Sequence, residues 1–350
     1  MRAGGDSFRY VSLDHWRGLA ALWVLVFHAN RGNPDIAGGW LREIITHGWL
    51  GVHLFFVLSG YCITARAARE YREGGAATRF LLDRFLRLYP TYWVALVCAA
   101  LLNVAGAVAK GLPPFSAGVL PGGPGETLAT LLALEPWQQQ PSFLLVAWTL
   151  SYEVGFYLLA AAGLALALRT RRPWLGFAWA FALGLAGLIP AVGTAWPLLA
   201  LWPHFVLGAG IWLALELRRA WFGLLPVAVA WAASLIHDSH SGLQLWVVGI
   251  CAVLLLVLHR WDAWLGNWRG LRWLGQVGVI SYSLYLVHVP VAGKFRNLLD
   301  RWPAAGTQEL LLLPAGCGLA IAAAWCFHRW VEDRFEGRRR DWLRRLLPSS

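Results

Sequence analysis

The chain has 350 residues, of which 58% are hydrophobic and only 14% charged, and its mean hydropathy is +0.52. A soluble domain carries about 25% charged residues, so polar surface is too scarce here to coat a water-soluble body, while the apolar richness excludes disorder. The net charge of +11 invites a nucleic-acid reading, but the arginines fall between apolar stretches and the 23 tryptophans are scattered along the whole chain. Those are membrane flanks and interfacial anchors, not a basic groove. No nucleic-acid partner is expected.

At about 20 residues per membrane helix, the composition predicts an all-α polytopic membrane protein with about ten transmembrane helices. Apolar stretches lie near 13–30, 49–65, 88–108, 146–168, 174–192, 197–216, 221–236, 242–259, 271–293 and 308–330. The first carries Arg17 and His28 with no small-residue cleavage site close behind, so it reads as a retained span rather than a signal peptide. The 221–236 stretch is short enough to be tilted or re-entrant. With both termini placed in the cytoplasm, Arg2, Arg9, the six arginines of 66–87, the later loop arginines and the arginine-rich tail all fall inside. Only Arg31, Arg42, Lys110, Lys294, Arg296 and Arg301 fall outside, and this bias sets the expected orientation.

The domain reading is one transmembrane domain over about 10–335, a basic cytoplasmic tail at 334–350, and no extra soluble domain. The longest outer loop, roughly 109–146, is rich in Gly and Pro and reads as a lid, a vestibule wall or a plain connector. Cys62, Cys98, Cys251, Cys317 and Cys326 have neither disulfide-framework nor zinc spacing and read as small buried hydrophobes. No metal is expected.

Ionisable side chains at mid-bilayer cost at least about 2.5–3.5 kcal/mol, so each marks a functional hypothesis. Glu153 is the acidic residue well inside a span, and His28, His53, His204 and His288 are the span histidines. Arg17 and His28 are eleven residues apart, which projects them from nearly the same helix face about 16 Å apart. That pair suits a reaction path across the membrane; a flank arginine paired with Asp14 and an interfacial histidine is the equal alternative. Arg84 and Arg87, one turn apart, could grip a diphosphate with two guanidinium forks, though the residues alone favour a positive-inside cluster. His288 precedes Pro290, which frees a backbone carbonyl nearby.

These residues sit in five segments that resemble the acyltransferase 3 family of integral membrane acyltransferases. Leu13-Asp14-His15-Trp16-Arg17-Gly18-Leu19 with Phe27-His28 looks like the opening motif, and Gly51-Val-His53-Leu-Phe-Phe-Val-Leu-Ser59-Gly60 like the second-helix signature. Arg84-Phe-Leu-Arg87-Leu-Tyr89-Pro90, Trp148-Thr-Leu-Ser151-Tyr152-Glu153 and Ser281-Tyr282-Ser-Leu-Tyr-Leu-Val-His288-Val-Pro290 follow in the family's order, and Phe327-His-Arg-Trp-Val-Glu332 looks like its terminal helix. The sequence departs at His53, where many members carry Asp. The outer hydrolase-like domain frequent in the family is not expected here.

The resemblance implies a bacterial inner-membrane enzyme that moves a short acyl group, acetyl above all, from cytoplasmic acyl-CoA to a hydroxyl of a saccharide-containing acceptor. It implies that Arg84 and Arg87 cradle the CoA phosphates and that Arg17 holds the donor or steadies the thioester oxyanion. His28 would act as base or form an acyl intermediate, and Glu153 would orient the imidazole. Asp14, His53, Ser151, Tyr152, Tyr282 and His288 come with the same segments as supporting residues. Acyl-CoA, a glycan, glycolipid or other hydroxyl acceptor, and membrane lipids are the expected partners. A transporter or flippase would also need charged groups in spans, but it predicts inverted repeats, and none is visible; a non-catalytic scaffold would not need Arg17, His28 and Glu153 in lipid.

Overall fold

The computed structural model describes residues 10–30, 39–113, 118–138, 141–299 and 306–346. Within them the chain is helical, with no strand. Its main helices are α1 (Leu13–Asn30), α2 (Leu50–Arg72), α3 (Ala77–Val108), α4 (Trp148–Thr170), α5 (Pro173–Gly187) and α6 (Pro197–Leu217). There follow α7 (Trp221–Ser234), α8 (Ser239–Leu258), α9 (Arg272–Val279), α10 (Ser281–Leu299), α11 (Gly306–Phe327) and α12 (Asp333–Leu346). Arg2, Arg9, Arg31 and Arg301, which the orientation argument used, lie outside the described residues, as do 114–117 and 139–140 of the long loop.

Each expected apolar stretch falls on a helix, but fewer helices are self-sufficient spans. Among the described residues six are long and apolar enough to cross a membrane: α2, α3, α4 with the turn before it, α6, α8 continued to Asn267, and the run Leu312–Leu346. Arg269–Val279 and Ser281–Phe295 qualify only as a pair broken at Ile280. The 15 residues of α5 and 14 of α7 span only about 21–23 Å of a hydrocarbon core about 30 Å thick. Asp14, His15, Arg17 and His28 dilute the apolar character of α1.

The chain divides into two compact units, one of Met1–Ala20, Trp49–Leu81 and Glu153–Val279, the other of Ala21–Gly48, Leu82–Tyr152 and Ile280–Ser350. In the first unit α2 packs on α6 without side chains between the backbones. A Cβ on Gly60 would lie 2.1 Å from the Phe205 carbonyl oxygen, and one on Gly208 2.0 Å from that of Val57. Small residues at such crossings are the usual route to helix association in lipid, where apolar burial drives nothing. Leu54, Val57, Leu58, Leu207, Ile211 and Trp212 fill the space around the crossing. The segment before α1 is tied down by Asp262, which accepts from the Val11 and Ser12 amides at 2.5 and 2.7 Å. Pro173 and Pro197 open α5 and α6 at positions where a missing N–H costs nothing. Asp238 caps α8 by accepting from the His240 and Ser241 amides, and these bonds hold its carboxyl below the usual carboxylate range.

In the second unit α10 packs along α11. The Tyr282 hydroxyl donates to the Leu88 carbonyl of α3 at 2.9 Å. The loop at 109–146 contains a helix, Pro124–Leu132, that α3 holds by three side chains. Tyr89, Tyr92 and Trp93 donate to the carbonyls of Leu132, Thr130 and Leu131 at 2.9, 2.7 and 2.9 Å. Cys98 and Cys326 are exposed rather than buried, which corrects the reading of all five cysteines as buried hydrophobes. Both lie on apolar helices, where a small hydrophobe suits lipid as well as a core.

The glycine crossing gives a stability test in detergent. Gly208→Ala should cost about 1–3 kcal/mol of overpacking and lower the thermal midpoint, whereas Gly318→Ala, with nothing within 4 Å of the added Cβ, should leave it unchanged. Equal midpoints by intrinsic fluorescence would contradict the close approach of α2 and α6.

Candidate active site

Helix periodicity places Val24 and His28 one turn apart on α1, and Leu284, Tyr285 and His288 likewise on α10. The two histidines meet within the second unit. His288 is buried, and its Nδ1 lies 2.9 Å from both the Leu284 and the Tyr285 carbonyl oxygens. A carbonyl accepts and never donates, so Nδ1 of the neutral ring carries the hydrogen and Nε2 keeps its lone pair. That Nε2 lies 3.2 Å from His28 Nδ1, which is also 3.0 Å from the Val24 carbonyl. Both neighbours of His28 Nδ1 are acceptors. The hydrogen of a neutral His28 therefore sits on Nδ1, and its Nε2 presents a lone pair. Among the described residues no hydrogen bond reaches that Nε2.

This is the base–orienter arrangement that proton transfer needs, with an imidazole in the orienting position. The sequence places His288 only as a supporting residue, and its pairing with His28 across 260 positions leaves no local signal. Pro290 withholds a helix hydrogen bond from the Leu286 carbonyl, next to the Leu284 and Tyr285 carbonyls that hold His288.

Glu153, at the start of α4 in the first unit, accepts on Oε1 from Ser59 at 3.2 Å and from Tyr157 at 2.8 Å. Tyr157 lies one turn along the same helix, a spacing that could have revealed it. Arg17 pairs with Asp14 at 3.8 Å, the local partner that the alternative reading expected. His53 is buried with its ring centroid 4.9 Å from that of His204. Its Nδ1 and His204 Nε2 have no hydrogen-bond partner among the described residues. An imidazole pair thus occupies the place where the resemblance implied a carboxylate.

Arg84 and Arg87 lie on the same face of α3 in the second unit, and each already meets a carboxylate. Arg84 donates to Asp83 at 2.7 Å, and Arg87 pairs with Glu336 of α12. Ser151 donates to the Ala133 carbonyl, a packing role. Tyr152 packs edge-on against Trp148, and Tyr282 serves the α3–α10 contact. Glu332 is a buried acid that the charge census passed over. It sits in a π-helical turn, His328–Glu332, and accepts from Ser283 at 2.6 Å and His328 at 3.0 Å. Among the described residues no cluster of three His, Cys, Asp or Glu could hold a metal ion.

Three comparisons bear on these residues. The model of a family described as an acyltransferase domain, acyltransferase 3, matches residues 10–329. A protein of Komagataeibacter xylinus named as a membrane-bound transacylase is 29% identical over 300 residues, which cover 79% of this chain and 72% of that protein. A peptidoglycan O-acetyltransferase of Listeria monocytogenes is 28% identical over 199 residues, or 52% of this chain and 29% of that protein. A Staphylococcus aureus protein named as an O-acetyltransferase is 35% identical over 92 residues, 25% of this chain and 13% of its own length. The chain therefore spans only a minor part of the latter two. No solved structure matches it.

His288→Ala removes the acceptor that fixes the His28 ring and should lower kcat for acyl transfer by about 10²-fold, with the thermal midpoint as folding control. Wild-type kcat in a folded variant would deny His288 this role.

Proposed function

The chain belongs to the acyltransferase 3 family and is a membrane-bound O-acyltransferase; on that premise we propose that it moves a short acyl group, acetyl, from cytoplasmic acyl-CoA to a hydroxyl of a saccharide-containing acceptor. The observation that carries this reading is the open lone pair on His28 Nε2, fixed from behind by His288. In the proposed step His28 Nε2 takes the proton of the acceptor hydroxyl as its oxygen attacks the acyl carbonyl carbon. The C–S bond of the tetrahedral intermediate then breaks, and the CoA thiolate leaves with the proton that Nε2 had taken. Arg17 and Glu153, the latter held by Ser59 and Tyr157, keep the roles that the resemblance implies for them.

Two features support the donor. Arg84 and Arg87 are planar forks suited to phosphate, and Arg84 Nε is buried without a hydrogen-bond partner among the described residues, a free donor for an incoming anion. The proposed topology is ten spans, with α1, α5, α7 and the broken α9–α10 pair joining the six self-sufficient helices. Both termini then face the cytoplasm of a bacterial inner membrane, following the arginine bias. The transporter reading gains nothing from the family or from the histidine pair.

The test uses purified protein in liposomes with acetyl-CoA and a cell-envelope glycan fraction. Mass spectrometry should show an added acetyl mass with the wild type and none with His28→Ala. Undiminished transfer by His28→Ala would remove His28 from the chemistry. Arg84→Ala combined with Arg87→Ala should weaken CoA binding at least about tenfold, about 1.4 kcal/mol; unaltered affinity by titration calorimetry would count against the donor site.

A further inference from the structure

Two loops of the first unit carry the same short pattern. Arg171-Arg172-Pro173-Trp174 leads from α4 into α5, and Arg218-Arg219-Ala220-Trp221 leads from α6 into α7. Their backbones repeat as well. Arg171 and Arg218 are left-handed, with φ of 57° and 56°. The next amides donate to carbonyls five residues back, Arg172 to Ala167 at 3.2 Å and Arg219 to Ala214 at 2.9 Å. This is the Schellman ending, in which glycine is the usual left-handed residue because a side chain strains that conformation. Here arginine takes the place twice. All four arginines are exposed, and among the described residues no side chain bonds or pairs with their guanidiniums.

Both loops flank one end of a cavity of about 610 Å³, within the range of about 300–1,000 Å³ usual for small-molecule sites. It lies between α5, α6 and α7, with Pro173, Trp174, Leu217 and Trp221 lining it at the arginine end. Apolar side chains such as Phe177, Phe181, Val206 and Val229 form its walls. Glu216 is the one charged residue among those that line it, and Arg72 already pairs with it at 2.9 Å. A saccharide or nucleotide would lose its hydrogen bonds to water in such a cavity, whereas an alkyl chain has none to lose. Trp212 also lines it, about 7.5 Å along α6 from Leu217. That indole is buried, and its N–H has no acceptor among the described residues.

A phospholipid matches these features from the rim inward. It offers a phosphate to guanidinium forks, an ester carbonyl just beneath, where a buried N–H lacks an acceptor, and an alkyl chain for apolar walls. On the proposed topology both loops face the cytoplasm, whose leaflet carries anionic lipid. The 15 residues of α5 and 14 of α7 also fall short of the hydrocarbon thickness, so the lipid beside them must adapt to the protein.

We infer that the cavity between α5, α6 and α7 binds one anionic phospholipid, with its acyl chain inside and its phosphate on the arginines of the two loops. The site uses no residue of the proposed acyl-transfer chemistry.

The test is native mass spectrometry of the full-length protein released from nanodiscs of phosphatidylcholine and phosphatidylglycerol. The wild type should keep one phosphatidylglycerol in preference to phosphatidylcholine. Arg171→Gln, Arg172→Gln, Arg218→Gln and Arg219→Gln together should cut the retained phosphatidylglycerol at least about tenfold. Ala178→Trp, which fills the cavity from an exposed position and leaves the arginines intact, should cut it as far. Equal retention of both lipids by the wild type, or undiminished phosphatidylglycerol in the glutamine variant, would overturn the inference. Full retention in Ala178→Trp would also overturn it, because the arginines would then attract lipid without the cavity. Retention of a second copy of the chain in place of lipid would do the same. Should the glutamine variant not fold, phosphatidylglycerol with a diazirine at its chain end should label α5, α6 or α7 in the wild type and not in Ala178→Trp. Equal labelling of the two, or labelling only elsewhere, would refute the site.

Discussion

Hydrocarbon offers a polar side chain no partner, so whatever the chain carries into the bilayer it must satisfy from its own groups. His288 shows the consequence. Its Nδ1 hydrogen has two carbonyls of its own helix to go to, one turn back, and this settles which nitrogen is left for His28. The His28 ring, caught between that nitrogen and the Val24 carbonyl, then has its remaining lone pair free. A chain of forced choices, starting from two backbone oxygens, ends in an imidazole with an available lone pair. The same rule accounts for Glu153 with Ser59 and Tyr157, and for Glu332 with Ser283 and His328.

The charges outside the apolar runs have a second logic. Arginine bias toward one face is a topological signal, and most of these arginines need no further reason. Several are nevertheless bound into specific pairs. Buried Glu70 takes Arg66 at 2.7 Å and Arg79 at 3.7 Å, which staples the end of α2 to the start of α3. Arg72 pairs with Glu216 of α6 at 2.9 Å. Arg84, Arg87 and Arg339 share Asp83 and Glu336.

Helical class and the location of the apolar stretches were legible in the sequence because lipid solvation leaves a compositional mark on every span. The number of self-sufficient spans was not, since α5 and α7 are apolar but short, and α1 is long enough but carries polar side chains that only tertiary partners explain. His28, Glu153, Arg84 and Arg87 could be singled out because ionisable residues are rare in apolar runs. Their partners could not. His288 lies 260 residues from His28, and Glu336 and Arg339 belong to a tail whose arginines look alike in one dimension. Tyr157 was the exception: one helical turn beyond Glu153, it was within reach of a periodicity argument. The Gly- and Pro-rich loop at 109–146 gave no sign that Tyr89, Tyr92 and Trp93 hold part of it against α3, because those bonds end on backbone carbonyls, which carry no sequence identity.

The central claim is that His28 offers an unprotonated Nε2 because His288 holds its Nδ1 hydrogen. Solid-state nitrogen NMR of histidine-labelled protein in liposomes at neutral pH reads this directly, with the His28→Ala spectrum assigning the signal. The account predicts that His28 and His288 are both neutral with the hydrogen on Nδ1, and that Nε2 of His28 is bare. A hydrogen on His28 Nε2 in the resting enzyme would contradict it.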